Sequence, residues 1–199
     1  MRRPVVRLTA PPDPGGLLVA WVREFDEATA QTFARDVAAI RQARQPVCPV
    51  VIDSPGGDAY ALLGMMDMLA SVEVPVVTVA VGKAMSCGAA LFSCGTMRYV
   101  APNATLMLHD VSCDPVDGKA EEQRVNMVET ERVNALLWRR IARNLGKPPT
   151  ALLDEHVRRG RVDWYLPARA ALDLGLATHL GVPVFEVRHR LDPLLTADR

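Results

Sequence analysis

The sequence carries no surplus of either charge: 23 Lys and Arg stand against 23 Asp and Glu. A chain without a basic excess lacks the long-range attraction that draws proteins to nucleic acid or an anionic membrane, and both are excluded as main partners. Lysine is scarce, with Lys83, Lys119 and Lys147 against 20 arginines, a bias that reflects base composition rather than phosphate binding. The four cysteines, at 48, 87, 94 and 113, form no C-x-x-C pair, and a chain of 199 residues needs no disulfide staples. They read as reduced thiols of a cytoplasmic protein, with no metal site and no cofactor implied. Long apolar runs are also missing. The most apolar region, Val74 to Leu91, is interrupted by Pro75, Gly82, Lys83, Ser86 and Gly88, well short of the ~20 uninterrupted apolar residues of a membrane span. At the N-terminus, Pro11, Pro12 and Pro14 break the stretch after Arg2 and Arg3, so a signal peptide is not expected. There is no repeat at a period of roughly 20–50 residues and no low-complexity tract.

What is present is a chain that is 49% hydrophobic. That is enough to bury a core, which excludes global disorder and suits one compact domain over 1–199. A neutral chain also lacks self-repulsion, which favours oligomerisation. Residues 5–10 and 17–22 read as strands around a turn rich in Pro and Gly. Asp26 caps a helix running to about Arg44, with Phe33, Val37 and Ile40 on one face. Val47–Ile52 is a buried strand closed by Ser54-Pro55-Gly56-Gly57, and a helix rich in Leu and Met follows from Asp58 to Ala70. A further apolar strand, Val74–Val81, is broken at Gly82, and a helix of small residues begins near Ser86 and ends at Gly95. Short strands follow at 97–100 and 105–108. Residues 110–119 are polar and irregular. Ala120–Leu145 is a long amphipathic helix whose apolar stripe holds Val125, Val128, Val133, Leu136, Leu137 and Ile141. Such a stripe predicts a projecting helix that buries its face against a second copy of the chain. A short helix at 150–159, an extended 162–166 and a helix from Pro167 to Gly175 complete an α/β pattern.

Three polar residues emerge from apolar surroundings: Ser86 at a strand-to-helix junction, His109 closing a strand, and Asp163 beside Trp164 and Tyr165. A serine at a helix start sits where free amides can stabilise negative charge. A histidine and a partly desolvated carboxylate would supply base and orienting acid. Each also has an ordinary reading. Such a serine is more often a cap, a histidine at a strand end is more often surface or satisfied core, and an aspartate there is more often a turn residue. The order Ser…His…Asp matches none of the common hydrolase templates, and G-x-S-x-G is absent. Ser54-Pro55-Gly56-Gly57 after a buried strand allows a close backbone approach to a ligand, although an isolated P-G-G is more often a plain turn. No P-loop follows it.

Four blocks together are more specific than any one. They are Val51-Ile52-Asp53-Ser54-Pro55-Gly56-Gly57; Gly82-Lys83-Ala84-Met85-Ser86-Cys87-Gly88-Ala89; Pro102-Asn103-Ala104-Thr105-Leu106-Met107-Leu108-His109; and Asp163-Trp164-Tyr165-Leu166-Pro167 running on to Gly175-Leu176. In this order, over about residues 47–180, the chain resembles the ClpP family, the proteolytic subunit of the ATP-dependent Clp protease. The resemblance implies a ClpP/crotonase-like spiral of β-β-α units with a projecting handle spanning about 110–147. It implies a serine endopeptidase with Ser86 as nucleophile, His109 as base and Asp163 as orienting acid. The oxyanion donors would be the amides of Gly56 and Cys87, and Gly57, Asp58, Asp110 and Val111 would line the substrate. Implied partners are peptides or unfolded proteins, further copies of the chain in two stacked seven-membered rings (a tetradecamer), and an AAA+ ATPase.

The chain also departs from that family. Only 53 residues precede Ser54, which implies reduced axial loops toward an ATPase ring. His109 is followed by Asp110-Val111 where Gln-Pro is common, Ser112-Cys113-Asp114-Pro115 replaces a glycine-rich strand, and Asp58 stands at a position usually apolar or small. Two related families share the turn or the fold. Signal-peptide peptidase A uses a Ser–Lys dyad, and crotonases use oxyanion donors without a nucleophilic serine. The same four blocks would also suit an ATPase-independent ClpP-like peptidase or a catalytically silent ring scaffold. The joint presence of Ser86, His109 and Asp163 favours the Clp type.

Overall fold

The structure is a computed structural model that describes residues 5–8, 16–112 and 119–187. In chain order the elements are β1 (Val5–Leu8), β2 (Ala20–Val22), α1 (Glu27–Gln42), β3 (Cys48–Ser54), α2 (Ala59–Ala70), β4 (Val76–Met85), α3 (Cys87–Phe92), β5 (Met97–Val100), β6 (Thr105–Leu108), α4 (Ala120–Asn144), α5 (Ala151–Arg158), β7 (Trp164–Pro167), α6 (Ala168–Leu174), β8 (His179–Leu180) and β9 (Val184–Val187). The expected turn through Pro11, Pro12 and Pro14, Cys113 and the polar stretch 113–118 lie outside the described residues.

The strands β2-β3-β4-β5-β8 form a parallel sheet, with β6 branching from β4 and β7 pairing antiparallel to β6. This is the α/β architecture expected. Parallel strands covered on both faces read as continuous apolar runs, and β3 and β4 do. On β4, Val76 and Ala80 join the main core against α1, α2 and α3, while Val77 and Val79 pack on the opposite face with Val47, Tyr99, Leu17 and Phe185 of β9. Asp26 and Asp58 cap α1 and α2 by accepting from the amides of Thr29 (2.6 Å) and Ala61 (2.7 Å). Gly175 ends α6 at φ 82, the left-handed stop expected of a glycine.

Two expectations are corrected. β4 does not break at Gly82. It continues to Met85 through a bulge, the partner of Ile52 being Ala80 and that of Ser54 being Ala84. Gly82 supplies the left-handed backbone there (φ 62), and a side chain at that position would meet the Asp53 carboxylate at 2.8 Å. Nor does the stripe on α4 stay exposed along its length. Val133, Leu137, Trp138, Ile141 and Ala142 are buried in their own chain, whereas Val125, Met127 and Val128 remain open. Residues 120–128, all exposed, keep the character of a projecting helix.

Asp110 joins this buried half of α4 to the rest of the fold. Asn134 Nδ2 (2.8 Å) and Trp138 Nε1 (3.0 Å) donate to its Oδ1, and Arg161 donates to Oδ2 at 2.8 Å. His156, fully buried and stacked on Trp138, brings Nε2 to 3.5 Å from Oδ2. Burial pushes the Asp110 carboxyl up, but these hydrogen bonds and the neighbouring His156 outweigh it and hold it below the usual 3.8. A lowered value means that the ionised group stabilises the fold in full above the ordinary carboxylate range, and that this contribution is lost as pH falls through the lowered value. Asp110→Asn is therefore expected to melt several degrees below the native protein at pH 7, with the gap closing as the pH falls through and below the ordinary carboxylate range. Thermal melts across pH check this, and a gap independent of pH would contradict it.

Candidate active site

Three strands deliver the polar residues to one place. β6 lies between β4 and β7, pairing parallel to the first (Met85 with Met107) and antiparallel to the second (Leu108 with Trp164). The Ser86 amide extends the first pairing by donating to Met107 O at 2.8 Å. Continuing the second register by one residue sets His109 opposite Asp163. The result is a contact of 2.7 Å between Ser86 Oγ and His109 Nε2, and of 3.8 Å between His109 Nδ1 and Asp163 Oδ1. With the proton on Nδ1, the hydroxyl donates to Nε2 and the N–H faces the carboxylate. The structure thus brings together the three residues singled out from the sequence. It does not desolvate Asp163, whose side chain is 51% exposed and whose Oδ2 accepts from the Tyr165 hydroxyl at 3.4 Å.

Ser86 sits at φ 53, ψ −118, between the end of β4 and the first turn of α3. For a non-glycine residue that conformation costs on the order of 1–3 kcal/mol and persists only where its surroundings fix it. Here they do so from both sides, because the Ser86 carbonyl accepts from Ala89 and Ala90 while its amide is held by β6. Ser86 caps α3 without a side-chain cap bond, so its Oγ is free for His109 and the Cys87 amide stands at the first helical position. The Cys87 thiol is buried beside the same cleft, bonding to Gly57 O at 3.2 Å, and burial raises its titration although hydrogen bonds to Ser86 and Gly57 pull it down. A raised titration leaves little thiolate for attack. Burial pushes Cys48 and Cys94 up to about 11 as well.

The glycine turn approaches Ser86 closely. A Cβ on Gly56 (φ 115) would fall 2.8 Å from Ser86 Cβ and 3.2 Å from Oγ, and one on Gly57 (φ 146) would run into the carbonyl of Phe25. The Gly56 amide, one of the two expected oxyanion donors, donates at present to Ser54 Oγ at 3.1 Å, so it reaches an oxyanion only by sharing or releasing that hydroxyl.

Ser86 and His109 open onto a cleft of about 450 Å³ between α2 and α4. Its floor is apolar, from Leu62, Leu137, Trp138 and Ile141, and its rim is polar. Gly57, Asp58 and Val111 line it, although the Asp58 carboxylate is engaged as the cap of α2. Asp110 is a correction. It does not line the cleft, because side chains alternate along an extended segment and its carboxylate turns to the opposite side, onto Asn134, Trp138 and Arg161. The sequence reading missed Tyr60, whose hydroxyl donates to Glu129 Oε1 at 2.6 Å across the cleft mouth. It also missed Asn134, which accepts the Val111 amide at 3.0 Å. Nothing in either residue's local pattern marks it. Among the described residues no cluster of His, Cys, Asp and Glu could hold a metal, and no helix is long and apolar enough to cross a membrane.

The sequence model of the Clp protease family matches residues 18–183. The chain belongs to the Clp protease family. Similar proteins named ATP-dependent Clp protease proteolytic subunits include subunit 3 of Nocardia farcinica, 31% identical over 128 residues (63% of this chain, 56% of that protein). Subunit 1 of Corynebacterium efficiens is 30% identical over 127 residues, 63% of this chain and 59% of its own length. Subunit 2 of Corynebacterium jeikeium is 34% identical over 98 residues, 48% and 47% of the two chains. The matches thus span between 47% and 59% of the length of these relatives. The family match, residues 18–183, takes in the segments that build the cleft and the parallel sheet.

The contact of Gly56 with Ser86 yields a direct test. Gly56→Ala should leave the far-ultraviolet circular dichroism unchanged while slowing the reaction of Ser86 with an alkyl fluorophosphonate by about 100-fold, because the added methyl displaces Oγ. Unchanged reactivity would show that the turn and Ser86 are not packed as described.

Proposed function

We propose that this chain is a serine endopeptidase of the Clp type, with Ser86 as nucleophile, His109 as general base and acid, and Asp163 as the orienting carboxylate. The observation that carries the reading is the 2.7 Å contact between Ser86 Oγ and His109 Nε2, with Asp163 on the other face of the imidazole. A Ser–Lys dyad is disfavoured because a ring nitrogen meets the hydroxyl, and Lys83 is not among the residues lining the cleft. A silent scaffold is disfavoured because nothing in this constellation has been lost.

In the proposed reaction Ser86 Oγ attacks the peptide carbonyl carbon as its proton passes to His109 Nε2, and the carbonyl π electrons move onto oxygen. The amides of Cys87 and Gly56 receive that oxyanion, the latter exchanging its bond to Ser54 Oγ. The C–N bond then breaks and the Nε2 proton goes to the departing amine, leaving an ester on Ser86. Water repeats the sequence, giving its proton to His109 and its oxygen to the acyl carbon, and Ser86 is restored. Asp163 holds the imidazole in the required tautomer throughout. Its exposure means that orientation, rather than burial of charge, is its contribution.

The substrate would be a peptide or unfolded segment lying extended between residues 56–58 and Val111, with one side chain in the cleft and its backbone paired largely without regard to sequence. The apolar floor suits an aliphatic or aromatic side chain. We further propose assembly into stacked rings through the exposed first half of α4, and partnership with an ATPase, in line with the names of the relatives.

An alkyl fluorophosphonate is expected to label the native chain at one site, Ser86, and Ser86→Ala to abolish labelling. Asp163→Asn should fold normally and lower peptide turnover by about 10⁴. Labelling that survives Ser86→Ala and disappears in Cys87→Ala would refute the assignment.

A further inference from the structure

The segments carrying His109 and Asp163 are tied together a second time, behind the cleft. Asp110 follows His109 directly, and Arg161 stands two residues before Asp163. Arg161 donates from a terminal guanidinium nitrogen to Asp110 Oδ2 at 2.8 Å. We propose that Asp110 and Arg161 form a clamp that sets the register of His109 against Asp163, so that both act as positioning residues for the reaction. This rests on the proposed reading of Ser86, His109 and Asp163.

The need for a clamp follows from how the strands end. The antiparallel ladder of β6 and β7 closes at Leu108 and Trp164, one residue short of the functional pair. Beyond it, Asp163 is half exposed, 3.8 Å from the imidazole, and otherwise bonded only at 3.4 Å to the Tyr165 hydroxyl among the described residues. Strand pairing therefore stops where orientation begins to matter, and a few tenths of an ångström at this point decide whether Nδ1–H meets the carboxylate.

The anchor is itself immobile. The other carboxylate oxygen of Asp110 accepts from Asn134 and Trp138 on α4, and Asn134 also receives the Val111 amide. Arg161 is held too. It follows Gly160 (φ 83) in a left-handed turn at φ 55, closed by a bond from its amide to His156 O at 3.1 Å. Non-glycine residues keep such a conformation where the surroundings impose it. Here the turn aims the guanidinium at Asp110 and sends the chain back toward the cleft as Asp163.

The Arg161 side chain is 54% exposed. Ion pairs with so open a partner contribute little to stability, so a clamp and a merely structural pair predict different results. For Arg161→Gln we expect the inactivation constant (kinact) of an alkyl fluorophosphonate at Ser86 to fall about 10- to 100-fold. KI should stay within about twofold and the melting temperature within about 2 °C of the native protein. Arg161→Lys, which keeps the charge, should recover most of the rate. Equal kinact values for the native chain and Arg161→Gln would overturn the clamp, as would a loss that merely tracks the unfolded fraction. Labelling of the native chain that persists in Ser86→Ala would instead overturn the reading of the site itself.

Discussion

The arrangement depends on the two-sided hydrogen bonding of one four-residue strand, β6. Its parallel pairing with β4 holds Ser86 through the Met107 carbonyl, and its antiparallel pairing with β7 sets Asp163 across from His109. Because side chains alternate with a period of two, a slip of one residue on either side would turn His109 away from the cleft. The register is protected by burial. Leu106 and Leu108 lie in the core, Leu166 and Trp164 pack opposite them, and a slip would expose all four. The apolar core thus fixes a polar geometry that Ser86, His109 and Asp163 could not hold by themselves.

Around that strand the molecule carries local strain that the rest of the fold supports. Ser86 and Arg161 both adopt positive φ, one lifting a hydroxyl toward the imidazole and the other turning the chain toward Asp163. Gly56 and Gly57 permit the turn after β3 to approach Ser86 more closely than any side chain would. Asp110 links this assembly to α4, whose buried half contributes to the floor of the cleft while its first half stays exposed. Anything that shifts α4 would be felt at Asp110, one residue from His109.

Much of this was legible in the sequence, and the reasons are local. Apolar periodicity places His109 and Asp163 at strand ends, whereas the break expected at Gly82 sets the end of β4 short of Met85. It is the four blocks together that single out Ser86, His109 and Asp163. The caps at Asp26 and Asp58 and the stop at Gly175 are written in single residues. Other features depend on partners distant in sequence. The bulge that carries β4 through Gly82 exists because Asp53 fills the space beside it. Asp110 reads as a substrate contact until α4 and the turn before β7 supply its three hydrogen-bond donors. The stripe on α4 is continuous in sequence, but only its second half finds a core to pack against. The exposure of Asp163 was hidden for the same reason, since Trp164 turns inward and Tyr165 stays open, so neither covers the carboxylate.

In the proposed reading, β6 brings a nucleophile, a base and an orienting acid into line. The most direct measurement is a crystal structure of the chain after reaction with an alkyl fluorophosphonate. Phosphorus is expected on Ser86 Oγ, with a phosphoryl oxygen accepting from the Cys87 amide and the His109 Nδ1 to Asp163 distance shortened from 3.8 Å to about 3 Å. An adduct on Cys87, or one on Ser86 with Asp163 turned to solvent, would contradict it.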